Sequence, residues 1–138
     1  MSTMSSFTKT ILFTDSDGRA RFRDESLALT EGKPAAMLSP LMPSGGYQLR
    51  RSPVGFRSEF HCTGDPQWVF ILGGQMEIGL QDGSSRIFGP GDHFFSADTL
   101  PAALDHFMAR RFERVRTVVE TSVALSRMPE SWRMRVGT

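Results

Sequence analysis

The chain has a single cysteine, Cys62, among its 138 residues. One thiol closes no internal disulfide, so folding does not depend on an oxidising compartment. Cys62 stands beside His61, but a lone Cys–His pair is read here as barrel burial rather than catalysis. No stretch approaches the roughly 18 consecutive apolar residues of a membrane span. The opening residues, Met1 to Ser6, lack the basic start and apolar core of a signal peptide. The expectation is a soluble, cytoplasmic protein with no membrane partner. Net charge is only +1, without the large basic excess interleaved with aromatics that marks a nucleic-acid surface. Also missing are a phosphate-cradling glycine loop, a nucleophile elbow and zinc-type cysteine spacing.

Length argues for one domain, 1–138. Short strand-forming runs are punctuated by turn residues up to about residue 97, which predicts an all-β sandwich or barrel over about 8–100. Residues 8–14 read as a strand, Asp15 to Gly18 as a turn, and Arg19 to Leu29 as the returning strand, with Ala20, Phe22, Leu27 and Leu29 expected inward. Thr30 to Pro34 reads as a loop. Ala35 to Met42, broken by Pro40 and flanked by Pro43, is at best an edge strand. Tyr47 to Arg51 is a strand.

The richest stretch is Gly55–Gly91, read as two hairpins in succession. Gly55 to Cys62 puts Phe56 and Phe60 on one face and Arg57, Glu59 and His61 on the other. That polar row faces either solvent or the inside of a ligand-holding barrel. Trp68 to Leu72 and Met76 to Leu80 are rich in strand formers, with Gly73-Gly74 between them, and Asp82 to Ser85 is a hairpin turn. Gly89-Pro90-Gly91-Asp92 then leads into His93-Phe94-Phe95.

Past Pro101 the character changes. Up to that residue there are nine Lys and Arg against eleven Asp and Glu; beyond it there are seven arginines against four acids. Only one glycine, Gly137, follows residue 91. Leu104, Met108, Phe112, Val115, Val119 and Val123 recur at three- and four-residue intervals, which predicts an amphipathic helix over about 102–126, with a tail over 127–138. Such a helix would cross the barrel mouth or meet a partner subunit. The alternative is a frame-shifted ending that leaves the barrel short of strands.

The residues of 55–91 resemble the first motif of the cupin superfamily. That motif runs Gly, five residues, His, one, His, three or four, Glu, six, Gly. Here Gly55 leads to His61, Thr63 takes the second His position, Gln67 the Glu position, and Gly74 ends it. The spacing matches throughout, and two of the three ligand identities differ. Gly91-Asp92 matches the start of the second motif, and Pro101 to His106 matches its end with Ala103 for Gly, across a gap longer than usual.

The resemblance implies a double-stranded β-helix (jelly-roll) barrel, often a homodimer, with a pocket between the motif strands. It implies ligand-binding roles for Arg57, Glu59, His61, Thr63 and Gln67. It also implies one divalent ion (iron, manganese, nickel or zinc), with donors drawn from His61, Gln67, Glu59, His93 and His106. Gln67 is a weaker, uncharged donor and Thr63 a poor one. Glu59, His61 and His93 would resemble a two-histidine, one-carboxylate triad.

Three functions follow. The altered motif favours a binding module for a small organic molecule. An intact metal site would make a dioxygenase or isomerase acting on a small oxygenated substrate. A non-catalytic interaction protein would work through the C-terminal helix.

Overall fold

A computed structural model describes residues 5–55, 66–97 and 113–128, with side chains of the last segment described from Thr121 onward. Arg57, Glu59, His61, Cys62, Thr63 and His106 lie outside the described residues, as does the part of the expected helix before 113. No described helix is long and apolar enough to cross a membrane.

The described chain is mainly β. β1 (Ser6–Thr14) and β2 (Ala20–Ala28) form an antiparallel hairpin closed by Asp15 to Arg19. β3 (Glu31–Lys33) and β4 (Ala36–Leu38) make a small separate ladder across the stretch read as loop and edge. β5 is Tyr47–Ser52, β6 Gln67–Leu80, β7 Ser85–Phe88, β8 His93–Ala97 and β9 Glu113–Arg127. The main sheet runs β2-β1-β8-β6-β9-β5, with β7 also on β6.

Two expectations are corrected. The first concerns Gly73-Gly74, which is a bulge inside one long strand and not a hairpin turn. β6 runs through it, and the register with β9 shifts between Ile71, Gly73, Gln75 and Met76. The buried positions show why. Val69 and Ile71 enter the main core before the glycines, and Met76, Ile78 and Leu80 after them, so the parity of the residues in that core changes from odd to even. Trp68 is buried too, but in a second cluster with Ile11 and Phe95 on the other face. An extra residue in a strand flips its faces, and here it keeps all five side chains in one core. Gly74 adopts φ +79°, a conformation that L side chains rarely take.

The second correction concerns the C-terminal helix. Residues 113–127 form a strand, β9, antiparallel to both β6 and β5. The three- and four-residue recurrence is real but competes with a second pattern. Val115, Thr117, Val119, Thr121, Val123 and Leu125 also alternate, and most are β-branched, which favours a pleated surface. The strand also has two partners to satisfy its backbone. Thr121 and Val123 are buried and lie on the core side, while Arg127 is exposed. Residues 113–127 therefore supply an inner strand of the sheet.

The sheet curls over its core. Leu12, Val69, Ile71, Met76, Ile78, Leu80, Phe88, Phe94 and Val123 form one cluster, with Phe22 packed against it. β2 and β7 are not sheet neighbours, yet Phe22 and Phe88 meet at 5.8 Å, and the Arg86 guanidinium sits 4.6 Å from the Phe22 ring. Arg86 also reaches Asp24 at 3.8 Å. Arg21 holds Asp15 and Asp17 at 2.8 and 2.6 Å and lies 3.9 Å from Asp82, so the two hairpin turns converge.

At the bulge, the Thr121 hydroxyl donates to the Gln75 carbonyl at 2.7 Å, and Thr121 is 1% exposed. A carbonyl displaced from the ladder is thereby satisfied. Thr121→Val keeps the shape and removes the donor, and should cost about 1–3 kcal/mol. Urea denaturation checks this; a midpoint unchanged from the parent would show that the bulge does not need the bond.

Candidate functional site

Of the residues singled out from the sequence, Gln67 and His93 are described, and they lie on opposite faces of the sheet. The strand period decides this. Gln67 shares its face with Val69 and Ile71, and its register partners are Ser96 on β8 and Arg127 on β9. Val69 and Phe94 pair next to it and both belong to the core. Gln67 therefore stands where the apolar core ends. Ser96 is buried and adds a hydroxyl beside the amide. Leu12 of β1 extends the same row.

His93 pairs with Phe70 on the outer face. Its ring lies 4.9 Å from Phe7, 5.7 Å from Trp68 and 6.3 Å from Phe70. The Thr10 amide donates to His93 Nε2 at 3.3 Å. An accepting Nε2 carries no proton, so the neutral ring holds its proton on Nδ1. Burial pushes the His93 pKa below its ordinary value; Asp92 and Asp24 oppose the shift and Lys9 adds to it. The Lys9 ammonium sits 4.3 Å from the Phe95 ring centre and 4.9 Å from that of Trp68, a cation–π pairing. Burial lowers the Lys9 pKa too, against Glu25 and with Arg23.

This division bears on a metal. Gln67 and His93 cannot donate to one ion from opposite sides of a sheet. Among the described residues no three His, Cys, Asp or Glu side chains come together as a donor set. The described donors do not fit one divalent ion.

The same outer face carries a cleft of about 290 Å³, lined by residues that include Phe7, Leu27, Met42, Trp68, Phe70 and Ser126. Sequence reading missed it, along with Lys9 and Ser96. A signal was present in the alternation Trp68-x-Phe70 and His93-x-Phe95, which puts four rings on one side of two adjacent strands.

No family model matches the chain, and no curated protein matches it either. Solved structures do resemble it in outline. One is a conserved protein of unknown function from Streptococcus pyogenes, SPY1581, at 19% identity and TM-score 0.42, covering 67% of this chain and 71% of that one. Another is the cupin domain of Cnp3 from Schizosaccharomyces pombe, at 11% identity and TM-score 0.42, covering 96% of this chain and 90% of that one. A third is oxidised CprK in complex with o-chlorophenolacetic acid, at 13% identity and TM-score 0.37; the match covers 64% of this chain and 35% of that one. These likenesses are of outline only.

The His93 geometry sets a pH dependence. A folded pKa below the unfolded value means that the unfolded chain binds the proton more readily. His93 then contributes stability above its ordinary value near 6.5, and that stability is lost as pH falls below it. His93→Phe should lose less stability than the parent between pH 7 and 5, read from urea midpoints. Parallel profiles for the two proteins would contradict the assignment.

Proposed function

We propose that the chain is a cupin-type binding protein that holds a small organic molecule at the core-facing end of β6. The observation that supports this most is the position of Gln67. The motif residue stands on the core face, in register with Ser96, one pair beyond the apolar Val69–Phe94 pair. An apolar floor with an amide and a hydroxyl at its rim is the usual make-up of a small-molecule site. Arg127, the other register partner of Gln67, is exposed at that end. A guanidinium there suits a ligand bearing a carboxylate or carbonyl oxygen. The sequence resemblance implies that His61, Thr63, Glu59 and Arg57, which lie outside the described residues, would contribute to ligand binding as well. Binding without chemistry is the reading, because the motif's charged donor is replaced by the neutral Gln67.

The test is a thermal-stability screen of small carboxylic acids, sugars and phenols. A ligand present at about 100 times its Kd should stabilise the native state by about 2.7 kcal/mol. Gln67→Ala and His61→Ala should each weaken that ligand. If no compound shifts the transition, or if the shift survives both substitutions, the pocket is not where the molecule binds.

A further inference from the structure

We infer that the outer face of the sheet carries a second, separate site, which takes a neutral, flat, ring-bearing molecule with one hydrogen-bonding oxygen. The cleft of about 290 Å³ is walled by Phe7 of β1, Leu27 of β2, Trp68 and Phe70 of β6, and Met42 and Pro43 of the segment before β5. Its size is near the lower end for small-molecule pockets, which suits one or two fused rings.

Three features define the occupant. The first is shape. The Trp68 and Phe70 rings are parallel to within 2°, with centroids 5.7 Å apart. A flat ring lying alongside extends that array in the offset arrangement that aromatic groups prefer. The second is polarity. Ser44 and Ser126 both line the cleft, and their hydroxyl oxygens are 2.7 Å apart. Ser44 Oγ also accepts from the Gly46 amide at 3.1 Å and donates to the Gly46 carbonyl at 3.2 Å, so Ser126 donates to Ser44 and keeps its oxygen lone pairs to accept from a ligand hydroxyl. The third is charge: among the described residues, no side chain lining the cleft is ionised. The cation Lys9 is held over the Trp68 and Phe95 rings and does not line the cleft.

The cleft is also built in advance. The Gly45 amide donates to the Arg127 carbonyl at 2.8 Å, and the Arg127 amide donates to the Gly46 carbonyl at 3.1 Å. These bonds fasten the Met42–Pro43 wall to the end of β9, so little ordering is left for binding to supply.

The test is calorimetric titration of the full chain with 2-naphthol, 2-naphthoate and cyclohexanol, with sedimentation of the same samples. Saturable binding of 2-naphthol at one per chain is expected, with the carboxylate and the non-planar alcohol much weaker. Phe70→Ala should weaken 2-naphthol by about tenfold or more, since it removes a stacking ring and its buried area. Met42→Glu, a loop substitution that leaves the sheet intact, should do the same by placing a charge in the cleft. Gln67→Ala should leave 2-naphthol binding unchanged, which separates this site from the core-facing one. Absence of saturable binding, or equal binding of the carboxylate, would overturn the inference. So would a dimer that Phe70→Asp converts to monomer, because the cleft would then be a contact between two copies of the chain.

Discussion

The bulge at Gly73-Gly74 is the constraint on which the other features depend. Without an extra residue, β6 could not bury Val69 and Ile71 in the same core as Met76, Ile78 and Leu80, because their parity differs. The bend also lets two strands share one edge of β6. β8 pairs with Gln67–Phe70 and β7 with Met76–Gly79. The Gly89–Asp92 turn joins them beside the bend, with Gly91 at φ +91°. The Gly91 amide donates to the Ile71 carbonyl at 3.0 Å, and the Ile71 amide to the Asp92 carbonyl at 2.9 Å. The Gly89 amide is held by the Asp92 carboxylate at 2.8 Å. The Gly-Asp pair that resembles the second motif therefore closes the turn and feeds β8 back onto β6.

One strand consequently serves two faces with different chemistry. Gln67, Val69 and Ile71 look into the core, whose polar end is the proposed ligand pocket. Trp68, Phe70 and Leu72 look the other way, and Leu72 is 57% exposed. An outer sheet face is more often polar when it meets only water. Here Tyr47 and Leu49 of β5 continue the apolar rows through Ser126 and Ala124 of β9 and are exposed as well. The β5 end of this face is its exposed apolar part and marks an interaction or ligand surface. Nearer β1 the face is covered, with Ile11, Trp68 and Phe95 forming a second buried cluster against Phe13, Leu27 and Met128. His93 and Lys9 lie within this face, which explains why burial lowers both of their pKa values.

Much of the fold was legible in the residues. The β1–β2 hairpin, the strand at Tyr47, the Asp82 turn and the short run at His93 were all readable from alternation and turn chemistry. Two elements were not. Gly73-Gly74 has the composition of a turn, and only the change of buried parity from Ile71 to Met76 distinguishes a bulge. In 113–127, valines three and four apart also fall two apart through their β-branched neighbours, and the tie is broken by partner strands far off in sequence. The candidate site was half legible. Gln67 was found through its spacing, but its separation from His93 depends on register, which spacing does not fix. The outer cleft draws on five separate parts of the chain, so no local pattern announces it.

The central claim is that β9 is a strand in the sheet, aligned with the whole of β6 across the bulge. Nuclear Overhauser contacts in a labelled sample test it most directly. Cross-strand backbone contacts between Trp68 and Ser126 and between Ile78 and Val115, on either side of the bulge, are predicted from the register. A run of contacts between residues three apart along 113–126, with no cross-strand contacts, would contradict it.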